Sequence, residues 1–139
     1  MPSVRTLWDT GPLISLIDSS EAHHEECMAA ALEASVNPVT TEAVITEASH
    51  LLSRTTGGAV RLQSMLIAFR DLEVIEITPR LRKRVLDLMV QYADAPMDYA
   101  DATLVAIAED FGIARIFTLD RRDFLMYRLY GRESFRIIP

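Results

Sequence analysis

Short apolar runs that end on a carboxylate or a turn, each followed by a stretch of helical spacing, recur along this chain, and that alternation restricts it to folds built on a parallel sheet. Val4 to Trp8 is apolar-rich and closes with Asp9-Thr10-Gly11-Pro12, turn residues that release Leu13, Ile14, Leu16 and Ile17 at helical spacing. Ser19 or Ser20 is placed to cap a second helix whose first turn carries Glu21, Glu25 and Glu26, the sign that a helix N-terminus prefers. Asn37-Pro38 ends it, Val39-Thr40 reads as a brief strand, and Thr41 begins a third helix running to about Arg54. Gly57-Gly58 breaks that helix, and Val60, Leu62, Met65, Leu66 and Phe69 give a fourth a wide apolar face. Leu72 to Ile77 alternates apolar with acidic residues, the pattern of a half-exposed strand suited to a sheet edge. Pro79 opens a helix through Tyr92, and Pro96 precedes a sixth from Met97 to Phe111, which Gly112 stops. Ile113 to Leu119 is β-rich and ends at Asp120, a short turn or helix follows, and Phe135 to Ile138 makes a last strand. Strands alternating with helices predict a three-layer α/β/α sandwich on a mainly parallel sheet, whose ligands gather at the carboxyl ends of the strands.

The 139 residues suit one domain, 1–139, which can bury a core without disulfides. With 50% hydrophobic and 24% charged residues, and no linker, low-complexity run or repeat, the composition excludes disordered and solenoid classes. No apolar run approaches a bilayer span and no secretory leader is visible, so a cytoplasmic protein with no membrane partner is expected. Cys27, the one cysteine, has no internal partner for a disulfide, in keeping with a reducing compartment. The formal net charge of -6 argues at first against a polyanionic partner. Yet Arg115, Arg121, Arg122, Arg128, Arg132 and Arg136 crowd the last part of the chain, where either a basic region or arginines scattered over a solvated surface would account for them.

Among many carboxylates, Asp9, Glu47, Asp101 and Asp120 stand where a solvated face would not put them. Asp9 and Asp120 each follow an apolar strand, so a parallel sheet would project both at one carboxyl edge, although Asp also favours turns for its own sake. Leu104, Val105 and Ala108 lie three, four and seven residues after Asp101 and share its helix face. Glu47 repeats the pattern, with Val44 three residues before it and Leu51 four after. An unpaired ionised carboxylate in such a setting costs several kcal/mol, so it needs a cation, strong hydrogen bonds or water. The bland alternatives are a helix-start carboxylate for Asp101 and an arginine partner for Glu47. Taken together the four acids can converge at one edge, and all-oxygen ligation is what Mg²⁺ and Mn²⁺ prefer. Such a centre suits phosphodiester hydrolysis, in which a cation activates water and neutralises developing charge.

Four stretches carry a family resemblance over nearly the whole length: Trp8-Asp9-Thr10-Gly11-Pro12-Leu13, Thr46-Glu47-Ala48, Met97-Asp98-Tyr99-Ala100-Asp101-Ala102-Thr103-Leu104, and Thr118-Leu119-Asp120-Arg121-Arg122-Asp123-Phe124. In their order and spacing the chain resembles the PIN-domain family, most closely its VapC-type toxin ribonucleases. The resemblance implies a five-stranded parallel sheet between helices. It implies that Asp9, Glu47, Asp101 and Asp120 form the acidic cluster that holds Mg²⁺ or Mn²⁺ in an endoribonuclease acting on RNA. Asp98 looks like an auxiliary acid of that metal set, while Asp123 caps or pairs locally. Thr10 and Thr118 either orient water and carboxylates at the site or bond to backbone, and Arg121 and Arg122 are the candidate phosphate contacts. By the same resemblance the partner is an antitoxin protein that inserts a segment into the groove, and exposed apolar surface on the second and fourth helices would serve it or a homodimer.

Two rival readings are weaker. A phosphoaspartate enzyme or receiver needs a lysine at another strand end, whereas Lys83 lies in a helical segment. A non-catalytic PIN-like module that binds RNA or protein would have no need of an intact four-acid set. His23 and Cys27 have zinc-ligand spacing but no second pair, so a core cysteine and a surface histidine are expected. His50 reads as a helix-surface residue near Glu47, and Trp8 as core rather than a base-stacking platform.

Overall fold

The computed structural model describes residues 4–139. Strands β1 (Thr6–Trp8), β2 (Pro38–Thr40), β3 (Glu73–Val74), β4 (Arg115–Phe117) and β7 (Arg136–Ile138) form one sheet in the order β3-β2-β1-β4-β7. Every neighbouring pair runs parallel, with Thr6 facing Pro38 on one side and Arg115 on the other. Helices α1 (Thr10–Ile17), α2 (His24–Ala34), α3 (Glu42–Leu52), α4 (Gly58–Ala68), α5 (Pro79–Gln91) and α6 (Tyr99–Phe111) make the crossovers, and α7 (Arg121–Met126) leaves β4. A two-stranded antiparallel hairpin, β5 (Arg128–Leu129) with β6 (Glu133–Ser134), precedes the last strand. The expected sandwich and its five-stranded parallel sheet are present, and Leu72 to Ile77 supplies the predicted edge strand, reduced to two residues.

The order of strands decides where a site can form. From β1 the chain proceeds outward to β2, whereas β4, on the other side of β1, proceeds to β7. The connections leaving the carboxyl ends of these adjacent strands therefore diverge and open a crevice, the usual ligand position in such a sheet. Asp9 and Asp120 stand on its two sides.

Trp8 anchors the core as expected, fully buried, with its ring edge-on to Phe69 and Phe117 and its Nε1 donating to the Ala34 carbonyl at 2.8 Å. Cys27 is buried and His23 exposed, as their separate readings required. Helix α6 is buried from Ala100 to Glu109, because alanines at Ala100, Ala102, Ala106 and Ala108 let neighbours approach it on all sides. Three local expectations need correction. Asp9-Thr10-Gly11-Pro12 is not a separate turn: Asp9 caps α1 and Thr10 to Pro12 form its first turn. Ser19 and Ser20 do not cap α2, since Asp18 accepts from the Ser20 N–H and hydroxyl and holds them in a turn, so the helix starts at His24 and Glu21 lies outside it. The sixth helix begins at Tyr99 rather than Met97, with Asp98 as its cap.

The hairpin has no clear sequence signal, since Tyr130 occupies a left-handed conformation that favours Gly or Asn. Tertiary bonds hold it there. The Tyr130 N–H donates to Glu109 Oε2 at 2.7 Å and its hydroxyl to the Glu109 carbonyl at 3.0 Å, while Arg84 of α5 grips the same carboxylate through two bonds of 2.7 and 2.9 Å. The Glu109 side chain is 2% exposed and that of Arg84 35%. Removing one partner of a buried pair costs roughly 3–5 kcal/mol, and partial exposure of Arg84 reduces this. Arg84→Ala should therefore lower the unfolding free energy by about 2 kcal/mol in chemical denaturation; a loss below about 0.5 kcal/mol would show that Tyr130 and solvent satisfy Glu109 without it.

Candidate active site

Asp9 is the most constrained of the acids, at 3% exposure. Both its oxygens are engaged: the Thr10 N–H donates to Oδ1 at 2.8 Å and the Thr118 hydroxyl to Oδ2 at 2.7 Å. The Thr118 oxygen also accepts the Asp120 N–H at 3.0 Å, so one side chain orients Asp9 and fixes the backbone of Asp120. Asp101, 7% exposed in the first turn of α6, receives the Tyr127 hydroxyl on Oδ2 at 3.1 Å. Asp98 caps α6, its Oδ1 accepting the Asp101 N–H at 2.8 Å, and its side chain is exposed. Glu47 is half-buried on α3 and Asp120 is exposed at the start of α7. The buried stripe of α3 runs through Val44, Ala48 and Leu52, so Glu47 lies at its margin rather than within it, and Leu51 is exposed.

The acids feel one another. Burial, opposed by the two threonine bonds and reinforced by the charges of Asp120 and Glu47, pushes the Asp9 carboxyl up to about 7. Burial first, then Asp9, Asp98 and Asp120, pushes Asp101 up to about 8. Desolvation followed by Asp98 raises Glu47, and partial desolvation followed by Asp123 raises Asp120. Among the described residues no lysine, arginine or histidine forms an ion pair with Asp9, Glu47, Asp101 or Asp120.

The donor chemistry fits a hard divalent cation, which takes oxygen ligands. Among the described residues no three acidic, histidine or cysteine side chains are close enough to hold one ion at once. Mg²⁺ commonly takes one or two carboxylates directly and meets the rest through water. The Thr10 hydroxyl is buried beside Glu47, near enough to counter the upward shift of that carboxyl.

A cleft of about 580 Å³ adjoins the acids, lined by Glu47, Asp98, Tyr99 and the exposed His50. Arg121 and Arg122 are exposed on α7, directly after Asp120. Of the two readings of the late arginines, a single basic region does not form as a whole, because Arg115 and Arg136, at the amino ends of β4 and β7, both pair with Glu33 at 3.4 and 3.3 Å. Tyr127 carries no sequence signal of a site role, since only folding brings its hydroxyl to Asp101 across 26 residues.

A family model described as PIN domain matches residues 6–131. In sequence the chain is similar to ribonuclease VapC26 of Mycobacterium tuberculosis, 27% identical over 139 residues that cover 94% of this chain and 98% of that protein. In structure it is similar to VapC20 of Mycobacterium tuberculosis, a Sarcin-Ricin loop cleaving toxin, with a TM-score of 0.71 at 20% identity over 80% of this chain and 86% of that one. It is also similar to VapBC2 of Rickettsia felis, solved bound to a DNA fragment from their promoter, with a TM-score of 0.71 at 13% identity over 98% of this chain and 100% of that one. These structures share the fold.

A carboxyl raised in the folded state from 3.8 to about 7 or 8 keeps a proton that the unfolded chain has released. The folded form then binds more protons than the unfolded one across that window, so stability present at low pH is lost as pH rises through the folded values. Metal-free protein should melt higher near about pH 5 than near about pH 8. Asp101→Asn keeps the shape and removes one of these titrations, so it should flatten the slope and melt no lower than the parent near about pH 8. Calorimetric melts in EDTA across that range read both; a variant several degrees less stable at the alkaline end would make Asp101 a structural residue.

Proposed function

The chain belongs to the PIN-domain family, and from that premise we propose that it is an endoribonuclease dependent on Mg²⁺ or Mn²⁺, the toxin of a toxin–antitoxin pair. The observation that carries this reading is the convergence of Asp9, Glu47, Asp101 and Asp120 at the crevice between β1 and β4 with no ion-pair partner among the described residues. Its likeness to a curated ribonuclease over nearly the whole of both chains supports the activity. Asp9 and Asp101, held by Thr118 and Tyr127, are the residues best placed to hold the cation, with Glu47, Asp120 and Asp98 acting directly or through water. A divalent ion bound there supplies the Lewis acid that activates water and offsets charge at the phosphoryl group. The Thr10 hydroxyl, beside Glu47, is available to orient water or a phosphate oxygen. Arg121 and Arg122 hold the RNA backbone at the lip of the site.

The partner is an antitoxin protein, as in the structurally similar toxin–antitoxin complex of Klebsiella pneumoniae. Exposed apolar residues on α2 (Met28, Leu32) and α4 (Val60, Ile67), with Val36 just beyond α2, offer it a surface or serve a homodimer. Among the described residues no helix is long and apolar enough to cross a membrane, and a cytoplasmic RNA substrate accords with the proposed role.

RNA cleavage should require a divalent ion and stop in EDTA, with the loss reversed by added Mn²⁺; incubation with end-labelled RNA and mapping of the new ends checks this, and undiminished cleavage after exhaustive chelation would refute the metal mechanism. Replacing Arg121 and Arg122 by Ala should weaken RNA binding and reduce the slope of log affinity against log salt by about 1–2, since each phosphate contact releases about one counterion. Filter binding across a salt series measures it, and an unchanged slope would move the phosphate contacts elsewhere.

A further inference from the structure

Tyr127 is the only fully buried tyrosine among the described residues, and its hydroxyl ends at a site carboxylate. The residue terminates α7, with its N–H bonded to the Asp123 carbonyl at 3.0 Å. Its ring is clamped edge-on between Phe124 at 5.1 Å and Tyr92 at 5.2 Å. A ring so confined fixes the direction of its hydroxyl, and a buried phenol needs a partner. The partner is Asp101 Oδ2, at 3.1 Å. No other side-chain donor reaches that carboxylate among the described residues, and the Asp101 N–H is spent on Asp98.

Asp9 has protein donors on both oxygens, so its rotation is fixed locally. Asp101 has one, and it comes from a different element. With Oδ2 held by Tyr127, Oδ1 is left free, and the carboxylate plane is set by the aromatic cluster rather than by α6 itself. Resting on the metal-centre reading above, we propose that Tyr127 is a positioning residue that orients Asp101 so that its free oxygen serves the divalent cation. Outer partners of this kind hold a ligand in the geometry that the ion needs, and losing one commonly weakens metal binding by roughly 10- to 100-fold.

The neighbouring tyrosine provides a control. Tyr92 touches the same ring, and its hydroxyl accepts the Arg128 N–H at 3.1 Å, yet no hydrogen bond connects it to the acids. Tyr127→Phe keeps the ring and removes only the donor; Tyr92→Phe removes a hydroxyl from the same cluster.

Mn²⁺ affinity of the purified chain, read by electron paramagnetic resonance at a temperature where melts show each protein folded, tests the proposal. Tyr127→Phe should bind Mn²⁺ about tenfold more weakly or worse, while Tyr92→Phe binds as the parent does. In a protein already carrying Asp101→Asn, adding Tyr127→Phe should change the affinity less than about twofold, because the residue acts through Asp101. A second measurement uses the unaltered chain: the Tyr127 Cζ resonance should move with saturable Mg²⁺ binding while that of Tyr92 stays in place, which keeps the test open even if Tyr127→Phe does not fold. A parent that binds Mn²⁺ while Tyr127→Phe binds it equally well leaves Tyr127 a packing residue and overturns the proposal. A parent that binds no Mn²⁺ at millimolar concentration overturns the metal-centre reading itself.

Discussion

One hydroxyl ties the two central strands together where their carboxyl ends meet. Thr118 donates to Asp9 at 2.7 Å and accepts the Asp120 N–H at 3.0 Å, so the residue following β4 orients the acid after β1 and the backbone of the acid after itself. Without that bond Asp9 would be a buried carboxylate with a single donor from its own neighbour. Burying a carboxylate costs several kcal/mol unless hydrogen bonds or a cation compensate. The parallel register that sets Trp8 beside Phe117 makes the bond possible, because it brings Asp9 and Thr118 level at the sheet edge.

The rest of the molecule compensates for this strained corner. Acids that crowd a crevice push one another toward the protonated form, and the fold needs stable ground elsewhere to hold them. Trp8 with Phe69 and Phe117 fills one part of the core, and Tyr92, Tyr127, Phe124 and Phe135 form an edge-on aromatic chain in another. At the far end of α6, Glu109 is buried like Asp101 but receives the Arg84 fork and the Tyr130 N–H. A single helix thus carries a satisfied buried acid at one end and an unneutralised one at the other. That difference separates a structural carboxylate from a candidate ligand.

How much of this could be read from the residues depends on how local its causes are. The alternation of apolar runs and helical spacing determines the sheet, because backbone pairing and one-sided burial act over a few residues at a time. Asp9 and Asp101 were legible for the same reason, each a charge set in an apolar pattern. Glu47 lies less deep than its spacing from Val44 and Leu51 predicts, because the buried stripe of α3 runs through Val44, Ala48 and Leu52. Asp98, which the resemblance makes an auxiliary acid, also spends one oxygen on the start of α6, a role its motif does not announce. The β5–β6 hairpin, the pairing of Arg115 and Arg136 with Glu33, and the bond from Tyr127 were not legible, since each joins segments that only the tertiary fold brings together.

Electrostatics gives the proposed reaction its order. A chain with a formal net charge of -6 and a crevice lined by Asp9, Glu47, Asp98, Asp101 and Asp120 repels a phosphodiester. Two like charges ~5 Å apart at an effective dielectric of ~20 oppose each other by about 3 kcal/mol, so even one such contact would weaken binding more than a hundredfold. Arg121 and Arg122, exposed on α7 directly after Asp120, are the nearest cations in sequence to set against this. Under the proposed function, RNA would settle into the crevice once the carboxylates are neutralised, by protons or by a cation. Protons would also remove the negative oxygens on which a cation depends, so the two routes compete for the same atoms. With Asp9 raised to about 7 and Asp101 to about 8, both still hold part of their protons at neutral pH, so on the proposed reading a divalent ion would displace those protons there, and acid conditions would refill the site with them.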